Sequence, residues 1–161
     1  MSSVERMNAT DATRQLCTFL LDTLLFGIEV TNVQEVIRYQ EMTAVPLASS
    51  VVRGLINLRG QIVTAIDMRA RLGLPERTNG DLPMNVVVRT ADGIVSLLVD
   101  EIGDVVEVDE RSYERAPETM AATFRDVVPG VYKIDGPLLL LLDAERITAL
   151  GPAERTKAEA A

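Results

Sequence analysis

GLINLRGQIVTAIDMRARL, the stretch from Gly54 to Leu72, lies without a gap over GVYKIDGPLLLLLDAERIT, from Gly130 to Thr148. Gly54 meets Gly130, Gly60 meets Gly136 and Asp67 meets Asp143, each pair 76 residues apart. Both copies read as a strand, a glycine turn, an apolar strand and an aspartate-capped turn of helix. The runs Ile62 to Ile66 and Leu138 to Leu142 are too short for a core helix, so each reads as a strand covered on both faces. An aspartate carboxylate accepts from the free N–H groups of a first turn, which makes Asp67 the cap of Met68–Leu72 and Asp143 the cap of Ala144–Leu150. Gly73 and Pro75 supply the stop for the first of these helices.

A second repeat lies upstream. FGIEVTNVQEVI from Phe26 matches VSLLVDEIGDVVE from Val95, with Val30/Val99, Val33/Ile102, Glu35/Asp104 and Val36/Val105 all 69 residues apart. The change from 69 to 76 puts seven extra residues in the second half, around Arg111 to Val128, with room for a short helix. Leu16 to Leu21 and Phe26 to Val30 form a hairpin around Asp22-Thr23, and the Asp-Gly pairs at 92–93 and 135–136 are further hairpin signals. The expected fold is all-β: two related five-stranded barrels packed face to face, with short helical segments. The first barrel spans 15–83 and the second 84–150, dividing near Pro83, with strand exchange between them open. Residues 1–14 and 151–161 lack periodicity and read as flexible tails.

Composition narrows the function. The chain has 161 residues, a soft prior for one ordinary domain or two very small ones. It contains no histidine, which removes the usual general base and the commonest zinc ligand. No metal, cofactor or catalytic residue is expected. A net charge of −8 opposes nucleic-acid binding, which draws on Lys and Arg, and the six scattered aromatics offer no base-stacking platform. The one cysteine, Cys17, sits in an apolar run and reads as a small buried residue. The N-terminus lacks an apolar signal core and the longest apolar run is Leu138 to Leu142, far below the ~20 residues that span a bilayer. The expected location is the cytoplasm.

Asn57-Leu58-Arg59-Gly60 sits between two strand runs. Asn and Gly suit a tight turn, and Gly136 repeats Gly60, so these positions read as structural. Arg59 is different, because Asp135 occupies its place in the second half. A guanidinium on a loop rim is a planar donor for a carboxylate. Glu35 in VQEV is an ordinary solvated charge on its own, yet it can pair with Arg59 across a groove or read charge on a partner. Asp100, Glu101 and Asp104 are crowded enough to suggest a carboxylate-only hydrolase or a cation site, but they fit no calcium-loop spacing. A ligand- or oligonucleotide-binding barrel is the other alternative.

From Gln15 to Leu150 the chain resembles the CheW family of chemotaxis coupling proteins. VVRGLINLRGQIVTAIDMRARLGL (Val51 to Leu74) carries the resemblance, with FGIEVTNVQEVIR, VSLLVDEIGDVVEV and GPLLLLLDAERI in that order around it. Leu47-Ala48-Ser49-Ser50 after Pro46, where relatives often place a second proline, and Ala65 in place of a larger apolar residue are small departures. The resemblance implies two SH3-like, also described as OB-like, barrels and a non-enzymatic adaptor. Its implied partners are a chemoreceptor's cytoplasmic tip, held in the groove between the barrels, and the regulatory domain of the histidine kinase CheA. It places the protein at membrane-associated receptor arrays without membrane insertion. Carried over by position, Val33, Glu35, Asn57, Arg59 and Gly60 line or shape the receptor groove. Gly54, Gly60, Gly130 and Gly136 read as structural turn positions, Gly54 also allowing close backbone approach. Val86 and Val87, taken as apolar barrel-end and edge positions, are the candidates for the kinase interface.

Overall fold

A computed structural model describes residues 13–77, 80 and 82–149. The expected tails lie outside these residues except for Thr13 and Arg14, which already pair with Asp109 and Val108. Residues Thr13–Leu21 (β1) and Leu24–Glu29 (β2) form the hairpin around Asp22-Thr23, with Asp22 in the left-handed region at φ 61°. A 3-10 turn at Val30–Asn32 leads to Val33–Ile37 (β3), Val52–Leu58 (β4), Gln61–Asp67 (β5) and the short helix Met68–Leu72 (α1). Met84–Thr90 (β6) and Gly93–Val99 (β7) form a second hairpin, followed by Glu101–Asp109 (β8), a 3-10 turn at Glu110–Ser112 and Tyr113–Arg115 (β9). Ala122–Arg125 (α2), Gly130–Lys133 (β10), Leu138–Leu141 (β11) and Ala144–Thr148 (α3) complete the order. The extra residues of the second half do hold a short helix, α2.

The aspartate caps form as the sequence requires. Asp67 accepts from the N–H groups of Arg69 and Ala70 at 3.0 and 3.3 Å, and Asp143 accepts from Glu145 and Arg146 at 2.9 and 3.3 Å. Gly73, at φ 75°, closes α1 in the left-handed conformation that a side chain disfavours.

The strands make two sheets, ordered β8-β1-β2-β11-β10-β9 and β3-β6-β7-β5-β4. The second sheet takes the unbroken stretch from β3 to β7, while the first takes β1, β2 and everything from β8 onward. Each therefore draws strands from both sides of Pro83. The repeat is nonetheless realised in space: β1 and β6, β2 and β7, β3 and β8, β4 and β10, and β5 and β11 hold corresponding places in the two orders. In each half the strand after the hairpin crosses to the opposite sheet. The first sheet has a sixth strand, β9, where five were expected, and its counterpart in the second sheet is a single bridge between Thr43 and Leu55.

Three apolar clusters follow from this exchange. Leu16, Val108, Tyr132, Leu139 and Leu141 fill the first sheet's own interior, and Ile56, Leu58, Val63, Ala65, Val87 and Leu98 fill the second's. The largest cluster lies between them, joining Phe19, Phe26 and Ile28 of the first sheet to Ile66, Val86 and Leu97 of the second. In β11 and the residue that follows it, Leu139 and Leu141 face one interior while Leu140 and Leu142 face the shared core, so this part of the leucine run is covered on both faces. Its first residue departs from that expectation. Leu138 is 55% exposed, and Ile62, which opens the corresponding run in β5, is 62% exposed.

Candidate functional site

The β4–β5 turn presents the candidate cation. Leu58 pairs with Gln61, leaving Arg59 and Gly60 as the two turn residues, both left-handed at φ 52° and 88°. That geometry matches the twist of a two-residue hairpin and suits glycine better than arginine. Asn57 stabilises it by accepting the Gly60 N–H on Oδ1 at 2.8 Å. Asn57 and Gly60 therefore shape the loop, and Arg59 is the side chain it displays.

Arg59 donates to Glu35 of β3, joining the two outer strands of the second sheet, β3 and the β4 end, which share no ladder. The hydrogen bond from Arg59 holds the Glu35 carboxyl below its ordinary range. Coverage is unequal: the Glu35 side chain is 21% exposed and that of Arg59 68%. Most of the Arg59 side chain faces solvent. Val33, at the start of β3, is half-buried and packs on the shared core.

On the edge strands β3 and β8 the structure exposes apolar side chains. Val36 is directly opposite Val86, a shared-core residue, so Val36 lies on the face of β3 that turns toward the other sheet. Val105 is opposite Cys17, which also packs on the shared core. Val36 and Val105 are repeat-related, as are Val86 and Cys17, and both valines are exposed. They form matching rims of the seam between the sheets. Cys17 itself is half-buried, and burial pushes its thiol pKa up, away from reactivity.

The family model for the CheW-like domain matches residues 15–150. The chain belongs to the CheW-like family. It is 32% identical to the chemotaxis protein CheW of Bacillus subtilis over 133 residues, covering 83% of this chain and 85% of the relative. It is 28% identical to the chemotaxis protein CheW of Treponema pallidum, covering 88% and 85%. Among solved structures, that of the scaffolding protein TtCheW from Thermoanaerobacter tengcongensis aligns with a TM-score of 0.77 and 25% identity, covering 86% of this chain and 94% of that one. Membership in the CheW-like family makes the protein a chemotaxis coupling adaptor with a two-sheet β scaffold.

Two candidate groups need correction within this CheW-like frame. Val86 and Val87 are not edge positions: β6 runs between β3 and β7, and the two side chains are 1% and 0% exposed, one in the shared core and one inside the second sheet. Neither offers a surface to a partner. Gly54 and Gly130 lie within β4 and β10, not in turns. A Cβ on Gly54 would stand 2.7 Å from the Thr43 carbonyl oxygen, and one on Gly130 would run into the Tyr113 ring. Gly60 and Gly136, at φ 88° and 101°, are turn glycines as read.

The crowded carboxylates near residue 100 are also resolved. Asp100 receives Arg69 through both oxygens, at 3.0 and 2.6 Å, together with Arg77 and the Asp22 N–H at 2.7 Å. Burial pushes its pKa up, but the hydrogen bonds from Arg69, Asp22 and Arg77 outweigh that and hold it far below the usual carboxylate range. Its lone pairs are engaged, so it has no capacity left to act as an acid, a base or a cation ligand. Among the described residues no group of three or more His, Cys, Asp or Glu side chains is arranged to hold a metal ion, and no helix is long and apolar enough to cross a membrane.

A further apolar surface lies on the first sheet. A cavity of about 460 Å³ is lined by Leu24, Leu25, Met120, Val131, Leu138 and Leu140, with Leu138 at its exposed lip. Its walls come from β2, β10, β11 and the segment before α2, so no contiguous motif announces it.

Proposed function

We propose that the protein joins the cytoplasmic tip of a chemoreceptor to the regulatory domain of the histidine kinase CheA, as an adaptor that performs no catalysis. Its place is the cytoplasm, at membrane-associated receptor arrays. The receptor is read across the edge of the second sheet, where Glu35 positions Arg59, and along the adjoining seam between the sheets, where Val33, Val36 and Val105 give contact area. The observation that carries this reading is the largely exposed Arg59 side chain, held at the β4–β5 turn by Glu35 and by the Asn57–Gly60 hydrogen bond. A partly engaged arginine and exposed valines on the same sheet edge suit a partner surface that mixes carboxylates with apolar residues. With Val86 and Val87 buried, the Leu138 cavity is the surface we assign to the kinase. Two separate surfaces on one small body let receptor and kinase be held at once, so that geometry and effective concentration do the coupling.

Reconstitution with a receptor fragment and the kinase tests this. Arg59→Ala is expected to keep the β-sheet circular dichroism and to weaken co-sedimentation with the receptor fragment about tenfold or more, as removal of an interface arginine commonly does. Kinase binding should persist. Receptor binding equal to that of the parent protein would remove Arg59 from the site, and failure of the parent to activate the kinase with receptor present would remove the coupling role.

A further inference from the structure

We propose that Asp100 is the lock that sets the angle between the two sheets and thereby positions the Val36 and Val105 rims relative to each other. Only the consequence for binding rests on the adaptor reading; the lock itself rests on the geometry below.

The chain passes between the sheets at Val30–Asn32 and again at Asp100, the single residue between β7 and β8. The shared core holds the sheets together, but apolar burial is non-directional and does not by itself choose an angle. Asp100 supplies direction. Toward the first sheet, its N–H donates to the Leu20 carbonyl of β1 at 3.0 Å and its Oδ2 accepts the Asp22 N–H from the β1–β2 turn at 2.7 Å. Toward the second, Arg69 on α1 grips both carboxylate oxygens and Arg77 adds another donor from the segment after α1. Arg69 also reaches the Pro75 carbonyl at 2.8 Å and approaches Asp22 at 3.8 Å. The side chains of Arg69, Arg77 and Asp100 are only 13 to 15% exposed, where charged hydrogen bonds are screened little by solvent.

The repeat shows that this device is one-sided. Thr31, exposed, stands where the first half has its counterpart of Asp100, and Glu145 stands where the second half has its counterpart of Arg69. Glu145 on α3 makes the corresponding tie, accepting the Ala91 N–H of the β6–β7 turn at 2.9 and 3.2 Å. It too links a helix of one sheet to a hairpin of the other, but through a solvent-exposed carboxylate, and such contacts hold weakly. The sheets are therefore pinned through a buried ion cluster at the Asp100 side, whereas at the α3 side the exposed Glu145 contact is joined by Arg71 of α1, which donates to the Arg146 and Ile147 carbonyls at 3.1 Å.

The test measures the inter-sheet distance directly. Spin labels on Arg89→Cys in β6 and Glu107→Cys in β8, in a Cys17→Ser background, give one narrow distance by pulsed electron resonance in the parent. Asp100→Asn, which keeps the side-chain shape and removes its charge, is expected to shift or broaden that distance, whereas Glu145→Gln leaves it unchanged. Arg77→Gln, which spares the Arg69 grip, gives a smaller broadening and stands in if Asp100→Asn does not fold. A distribution unaltered in the folded Asp100 or Arg77 variant, or broadened equally by Glu145→Gln, overturns the lock. Receptor-fragment binding by Asp100→Asn should fall about tenfold, as expected when the binding-competent arrangement becomes a minor population. A broadened distance with full binding overturns the positioning role. If the parent itself binds no receptor fragment, the adaptor reading fails and the distance measurement still decides the lock.

Discussion

Gly54 shows how much a single position can be settled by its neighbours. It sits inside β4 with the Thr43 carbonyl oxygen 2.7 Å from where a Cβ would be, and the next residue, Leu55, exchanges hydrogen bonds with Thr43 at 2.9 and 2.8 Å. Gly54→Ala must push backbone, not a flexible side chain. A cost of about 1–3 kcal/mol, typical of overpacking, is expected from urea unfolding, with loss of amide protection at Thr43 and Leu55 by hydrogen exchange. The repeat with Gly130 already marked the position in the sequence, and close approach was the right physical reason; the turn was not. Glu35 and Arg59 were legible as complementary charges, and the structure brings them together. Asp100 was not legible as a lock, because Arg69 and Arg77 lie 31 and 23 residues from it in the chain and only folding converts a row of acids into a neutralised cluster.

At the scale of elements, signals confined to a few residues read well. The aspartate before each helix, Gly73 after the first and the hairpin turns are all short-range chemistry. Strand order is not short-range. MNVVVRT reads as an apolar strand, but nothing within it says that β6 will be flanked by β3 and β7, and this is why Val86 and Val87 looked like edge positions and are interior ones. The same long-range order decides Val105 and Ile102: β8 is an outer strand and leaves them 59% and 37% exposed. The caps offer a direct check on the short-range part. Asp67 satisfies two N–H groups of α1 and also pairs with Arg53 at 3.0 Å, where Asp143 pairs with Arg146 of its own helix at 3.6 Å. Asp67→Ala is expected to lower stability by ~1 kcal/mol, the usual worth of a capping side chain, the exposed Arg53 pair adding little. Asp67→Asn, which can still cap, should recover most of the loss in the urea midpoint.

Over the whole molecule, the repeat in the sequence and the sheets in space divide the chain differently, and that difference has a thermodynamic consequence. Residues 15–83 carry β1 to β5 but lack β6 and β7, so β3 loses its only neighbour and β5 loses its parallel partner. Residues from 84 onward carry β6 and β7 without β5, and β8 without β1. Neither half contains a complete sheet, and the shared core needs both, because Phe19, Phe26 and Ile66 come from one half and Val86, Leu97 and Leu140 from the other. Each half alone should therefore lack β-sheet circular dichroism, and mixing the two should restore it. The intact chain should unfold in one step. Far-ultraviolet ellipticity reports all eleven strands of the described residues, whereas the near-ultraviolet signal of the tilted pair Tyr113 and Tyr132, ring centroids 5.2 Å apart, reports the first sheet. The two urea transitions are expected to coincide, as they do when no intermediate is populated. An early loss of far-ultraviolet signal with the tyrosine signal intact would mean that the second sheet, continuous in the chain from β3 to β7, unfolds on its own, and that the shared core couples the sheets less tightly than its composition requires.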